Sequence, residues 1–292
     1  MLEARDVSVR FGGLTAVNAV SATFARGELV GIIGPNGAGK TTFFNAISGV
    51  VAPSSGQLIA QGHRLTGQAP HRYAARGIAR TFQTPRVFAD LSVLDNIAFG
   101  LKFAGRRPRR YWLWGDEPSV PWALRTPVSI LTLIGLQGQA ALPAGAITPA
   151  QQRLLEIGMA LATRPKLLLQ HGARHAAQAA AARRGGRRLT ESEIEEMARL
   201  IRRMRDELDL AVVWIEHAVT TLLRHVERVI VLDLGRKIAD AAPAAVVRDP
   251  VVIEAYLGDE MGEPGREVVP ADDLTPGEPP RHASLGVGAV AS

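Results

Sequence analysis

The sequence predicts an α/β fold built on a parallel sheet, and three observations carry that reading. Residues 28–33 are a short apolar run, residues 34–39 are glycine-rich, and residues 40–48 read as a helix, so strand, loop and helix follow in the order that opens such a sheet. Further strand-like runs at 167–169, 211–215 and 228–232 have helical segments before or after them. Hydrophobic residues make up 47% of the 292, enough to fill a core and to exclude wholesale disorder.

Taken in order, residues 2–10 alternate like a half-buried strand. Residues 100–149 hold six prolines, the arginines at 106, 107, 109 and 110, and Tyr111, Trp112, Trp114 and Trp122, which leaves little room for long helices. The clearest helix spans 191–208, where Ile194, Met197, Ile201, Met204 and Leu208 recur at spacings of three and four and Thr190 with Glu193 forms a capping box. Past residue 260, five prolines and five glycines in 32 residues predict a disordered tail over 261–292.

The net charge of +6 would suit a nucleic-acid partner, but it is local. Two arginine runs, 106–110 and 174–188, carry it, and the acidic tail partly offsets them. Solvated loops are therefore expected rather than a nucleic-acid surface. The longest nearly unbroken apolar stretch, 128–136, is half of the roughly 20 residues that a spanning helix needs. The first ten residues lack the pattern of a secretory signal, and the absence of cysteine excludes a thiolate metal site and a thiol nucleophile.

Chemistry enters at Gly34-Pro35-Asn36-Gly37-Ala38-Gly39-Lys40-Thr41, which fits the G-x-x-x-x-G-K-[ST] phosphate loop. Glycines let the backbone curl so that successive N–H groups point at the β- and γ-phosphates, and the start of the helix adds its positive end. Lys40 neutralises phosphate charge and Thr41 is placed to ligate Mg²⁺, so ATP and Mg²⁺ are the expected cofactors. No N-K-x-D string is present to read guanine.

Three further strings select among phosphate-loop proteins: Arg10-Phe11-Gly12-Gly13-Leu14, Ala79-Arg80-Thr81-Phe82-Gln83 and Trp214-Ile215-Glu216-His217. With Gln152-Arg153-Leu154-Leu155-Glu156-Ile157 and the segment Asp249-Pro250-Val251-Val252-Ile253-Glu254-Ala255-Tyr256-Leu257-Gly258, they resemble the ATP-binding subunit of an ABC transporter, in the branched-chain amino-acid uptake branch. The resemblance covers most of 1–101 and 147–260. It implies a P-loop NTPase domain of the ABC type over 1–260, with an antiparallel β portion from the N-terminal strands and a shortened helical subdomain inserted at about 92–163. It also implies residue roles: Phe11 stacks on adenine, the loop from Gly34 through Thr42 binds phosphates, Thr41 and Gln83 reach Mg²⁺, Gln83 also reaches the attacking water, and His217 touches the γ-phosphate. The partners it implies are transmembrane permease subunits, a second ATP-binding subunit and, indirectly, an extracytoplasmic substrate-binding protein. The place it implies is the cytoplasmic face of the inner membrane, with no nucleic acid.

Two strings depart from the family. Where Leu-Ser-Gly-Gly-Gln opens a helix in the family, this chain has Ile147-Thr148-Pro149-Ala150-Gln151. Thr148 with Gln151 still makes a capping box and Pro149 suits the first helical position, but proline has no N–H to offer a phosphate. The strand that should end in Asp-Glu ends instead in Leu167-Leu168-Leu169-Gln170, followed by His171 and Gly172, and no acid occurs from 157 through 190. The metal-side carboxylate and the general base are both missing there, so hydrolysis is expected to be impaired. The alternative is a non-hydrolysing partner subunit or a nonfunctional product. Glu216 is a distant acid on this reading and would act as base only in a rearranged site. Of residues 172–188, seven are alanine, five arginine and three glycine, a composition that an out-of-frame reading of a G+C-rich gene also yields.

Overall fold

The computed structural model describes residues 1–104, 121–172, 191–216 and 219–260. The low-complexity stretch from 173, the Thr190 cap, His217 and the tail fall outside the described residues.

Two sheets organise the chain. The first is antiparallel, with strands β1 (Leu2–Phe11), β2 (Leu14–Phe24), β4 (Ser55–Ala60) and β5 (His63–Arg64) in the order β2-β1-β4-β5. Strict alternation in β1 breaks where Asp6 takes a left-handed φ of 47° and the register to β2 shifts between Ala4 and Val7. Val7, Ser8 and Val9 are consequently buried in succession, a β-bulge that period-two reading does not foresee. The second sheet orders β3 (Leu29–Ile33), β6 (Ile78–Arg80), β7 (Leu167–His171), β8 (Ala211–Ile215), β9 (Arg228–Asp233) and β10 (Arg236–Ala241) as β10-β9-β3-β8-β7-β6. Neighbours from β9 to β6 are parallel, and β10 closes one edge antiparallel to β9.

The parallel strands are apolar on both faces because both faces are covered. Val30, Ile32, Leu167, Leu169, Val213 and Ile215 meet the antiparallel sheet together with Phe43, Phe44 and Ile47 of α1 (Lys40–Ile47). The alternate residues Ile33, Leu168, Val212 and Trp214 meet the helices α3 (Val93–Ala104), α4 (Pro127–Leu133), α5 (Pro149–Ala162), α6 (Glu191–Leu208) and α7 (Val219–His225). Gly31 lets α7 approach, since a Cβ there would stand 2.4 Å from Leu222 Cδ2. The chain also contains α2 (Pro70–Ala75), α8 (Pro243–Val246) and α9 (Pro250–Glu260). Arg228 pins the sheet edge, giving both carboxylate oxygens of Asp240 a hydrogen bond at 2.6 and 2.9 Å and donating to Glu28 and to the Thr23 carbonyl at 2.9 Å each.

Residues 92–163 place α3, α4 and α5 beside one another, packed through Ile97, Ile130, Ile134 and Gly158. Among the described residues, no helix is long and apolar enough to cross a membrane.

Candidate functional site

The site lies at the carboxyl edge of the parallel sheet, where ligands of open α/β sheets bind. Strand β3 delivers Gly34, whose φ of +148° and position allow no side chain, because a Cβ would stand 2.0 Å from the Leu232 carbonyl oxygen. At the far end of the loop Gly39 is left-handed (φ 89°) and caps α1, and a Cβ there would stand 2.3 Å from the Ala16 oxygen. The start of α1 carries no side-chain cap, as a helix end offered to an anion requires. Pro35 and Ala38 are buried, Asn36 and Gly37 exposed, and Thr41 and Thr42 half-buried at the first turn. Lys40, only 8% exposed, reaches back so that Nζ donates to the carbonyls of Gly34 and Pro35 at 2.6 Å each, which holds the ammonium inside the curl of the loop.

Phe11 ends β1 with half its surface exposed, at 52%. That leaves a ring face open to an aromatic ligand.

Gln83 sits just past β6, and the way it is held was not legible in the sequence. On α5, Arg153 and Glu156 form an ion pair of 3.2 Å with side chains only 2% and 5% exposed. Glu156 Oε1 accepts the backbone N–H groups of Phe82 and Arg86 at 3.0 and 3.2 Å. Arg153 donates to the Phe82 carbonyl and, at 3.3 Å, to that of Gln83. Burial pushes the Glu156 carboxyl above its ordinary value, against the pull of the Arg153 guanidinium and the two backbone donors. From the other side Arg80 lies over the rings of Phe44 and Phe82 and donates to Asn45 Oδ1 at 3.0 Å and Ser48 Oγ at 2.8 Å, with burial lowering its pKa. The segment from 80 to 86 is thus clamped between α1 and α5. Gln83 Nε2 is buried there without a hydrogen-bond partner. An i,i+3 pair of opposite charges on an otherwise apolar helix face was the available sequence signal.

The start of α5 matches expectation locally. Thr148 is the N-cap, its side chain accepting from the Gln151 N–H at 3.2 Å while Gln151 Oε1 accepts from the Thr148 N–H at 3.0 Å, with Pro149 in the first turn. Thr148 and Pro149 are exposed, and Ala150 and Gln151 half-buried.

Strand β7 runs two residues further than its apolar core and ends in His171, which is buried. The imidazole packs edge-on against Phe44 at 5.2 Å between centroids. Thr81 fixes this strand end, since its Oγ1 donates to Gln170 Oε1 at 3.1 Å and accepts the His171 N–H at 2.9 Å. Gly172 follows, and its N–H donates to the Ile215 carbonyl at 2.6 Å. Here one expectation is corrected: Glu216 is not distant. A Cβ on Gly172 would stand 2.1 Å from Glu216 Oε2, because β7 and β8 are adjacent and their ends are level.

The loop donors and the inward ammonium fit nucleotide phosphates. Thr41 and Gln83 would offer Mg²⁺ only neutral oxygens, so phosphate and water oxygens would have to complete its shell, as is usual for an ion that is bound with its nucleotide. Among the described residues no cluster of three or more histidine or carboxylate side chains forms a cage for it.

Comparison with known proteins gives this geometry a context. The family described as "ABC transporter" matches residues 17–170, and that described as "Branched-chain amino acid ATP-binding cassette transporter" matches residues 236–261. The chain is similar to the high-affinity branched-chain amino acid transport ATP-binding protein BraF of Pseudomonas aeruginosa, with 32% identity over 89% of this chain and 98% of the relative. It is likewise similar to the protein LivG of the same description from Escherichia coli, with 31% identity over 89% and 98%. A crystal structure of an ATP-binding cassette of an ABC transporter in its ADP conformation superposes with a TM-score of 0.70, at 26% identity, covering 88% of this chain and 98% of the other.

Proposed function

The chain belongs to the ABC transporter family, as an ATP-binding subunit of its branched-chain amino-acid branch, and we propose that it binds Mg·ATP but hydrolyses it slowly. The observation that carries the second half is the end of β7, which reads His171-Gly172 where the resemblance puts the two acids the family uses. His171 is a poor substitute for a metal-side carboxylate, since as a cation it repels Mg²⁺ and as a neutral ring it lacks compensating charge. A positioned general base contributes about 10²–10⁴-fold, and Gly172 offers none. Pro149 removes one N–H from the helix start that faces the second nucleotide in a paired arrangement.

In this role Lys40 and the loop from Gly34 to Thr42 bind the phosphates, Phe11 stacks on the base, and Thr41 and Gln83 hold the metal, which when bound neutralises charge on the phosphate oxygens. His217 contacts the γ-phosphate. The working assembly pairs two ATP-binding subunits beneath two permease subunits at the cytoplasmic face of the inner membrane, with an extracytoplasmic binding protein delivering a branched-chain or related hydrophobic amino acid. The substitutions at 171 and 172 also favour a second reading, a non-hydrolysing partner to an intact ATPase subunit. The helical subdomain over 92–163 is the part that meets the permease, and residues 1–260 form the working cassette.

Calorimetry and phosphate release on the purified chain test this together. Mg·ATP is expected to bind, Lys40→Ala to weaken binding, and turnover to stay well below ~1 per second, the low end of ordinary enzyme rates. Equal affinity of wild type and Lys40→Ala sinks the phosphate-loop assignment. Lys40-dependent turnover at ~1 per second or faster sinks the reading of the strand end. Turnover only with a second, intact ATP-binding subunit favours the non-hydrolysing partner.

A further inference from the structure

The end of β8 carries a buried acid that the roles above leave unused. Strand β8 lies between β3 and β7, with Ile215 opposite Ile32 on one side and opposite His171 on the other. The next residue, Glu216, therefore stands between the start of the phosphate loop and Gly172. It is 6% exposed. Its Oε2 and Cδ lie 2.1 and 2.6 Å from where a Cβ of residue 172 would be, so a side chain at 172 and this carboxylate compete for one volume. Glycine at 172 is what lets the Glu216 carboxylate occupy it. The Glu216 carboxylate thus stands in the space where a side chain at 172 would begin.

We infer that Glu216 is the general base of the slow ATP hydrolysis of this chain. The inference rests on the reading that the chain binds ATP and turns it over slowly. In the step assigned to it, the carboxylate takes a proton from the attacking water as the water oxygen bonds to the γ-phosphorus. The bond from that phosphorus to the β,γ-bridging oxygen breaks with its electron pair to ADP. The proton then passes from Glu216 to solvent, leaving ADP and inorganic phosphate. Beside it on β7, His171 is directed against Phe44 on the opposite face of the sheet, and Gly172 has no side chain. Asp233, at the end of β9 on the far side of β3 from β7, provides a control acid.

The test uses the full chain, with Lys40→Ala as the background for phosphate release. Glu216→Gln keeps the shape and removes the base, so turnover is expected to fall to that background, a loss of about 10²-fold or as much as the assay can resolve. Asp233→Asn is expected to leave turnover unchanged. ATP affinity measured by calorimetry in EDTA, without metal and without turnover, is expected to be retained or tightened several-fold in Glu216→Gln, because one negative charge near the phosphates is gone. Turnover of Glu216→Gln within twofold of wild type overturns the inference and leaves slow hydrolysis standing, whereas a wild type with no turnover above Lys40→Ala overturns both and favours the non-hydrolysing partner. Fast wild-type turnover that is lost in Glu216→Gln supports Glu216 and overturns slow hydrolysis instead. If circular dichroism shows that Glu216→Gln does not fold, Glu216→Asp decides: reduced turnover with ATP affinity kept supports the assignment, and unchanged turnover overturns it.

Discussion

Removing either partner of the Arg153–Glu156 pair should destabilise the chain, but only the loss of the arginine should make that cost depend on pH. Both side chains are almost fully buried, and each also holds backbone groups of the 82–86 segment. Glu156→Met leaves a guanidinium that cannot lose its proton, facing only the carbonyls of Phe82 and Gln83. Breaking a buried pair in this way costs about 3–5 kcal/mol, which at about 2–4 °C per kcal/mol lowers the melting temperature by roughly 10 °C. Arg153→Met leaves a carboxylate that can take up a proton, and burial has already moved Glu156 toward doing so. Without the arginine its folded pKa rises further above the ordinary 4.5. The protonated form then carries the stability, which is fully present below 4.5 and is lost as pH rises through the raised folded value. At pH 5 Arg153→Met should therefore cost only about 1–2 kcal/mol for its lost hydrogen bonds, and by pH 8 the cost should grow by about 1.4 kcal/mol for each pKa unit crossed. Glu156→Met should show no such growth. Urea denaturation of both variants and wild type at pH 5, 6.5 and 8 reads this directly. Equal losses at pH 5, or an Arg153→Met loss that does not change with pH, would falsify the charge argument.

Three further outcomes are expected. In Asp240, burial raises the pKa but hydrogen bonds from Arg228 and Lys237 outweigh it, leaving it below the ordinary 3.8; its stability contribution is present above that value and lost as pH falls through the lowered one, so Asp240→Asn should flatten the acid limb of a stability–pH curve below pH 3.8. Gly49→Ala places a methyl 2.4 Å from the Tyr73 ring at a φ of +76° and should cost roughly 2–4 kcal/mol, whereas Gly62→Ala, at the same φ with open space around it, should cost only about 1–2 kcal/mol by thermal denaturation. Deleting 261–292, with its five prolines and five glycines, should leave the melting temperature within error, and a large drop would show the tail to be docked on the fold.

What the sequence determined by itself is what a few consecutive residues can encode. The left-handed glycines that bracket the phosphate loop, the Thr148–Gln151 capping box with Pro149 inside it, and the apolar runs of the parallel strands all reside in local backbone conformation, and the structure has each where the sequence puts it. The three-residue β6 and the two-residue β5 carry no such periodic signal, and the bulge at Asp6 erases the one in β1. Only the tertiary structure decided what stands beside the broken strand end. The order β3-β8-β7 sets Glu216 next to Gly172, and the packing of α5 brings Arg153 and Glu156 onto the backbone of residues 82–86. Contacts of that kind join segments tens of residues apart. They depend on which strands become neighbours and on which volume a missing side chain leaves to be filled, and neither quantity is written in local periodicity.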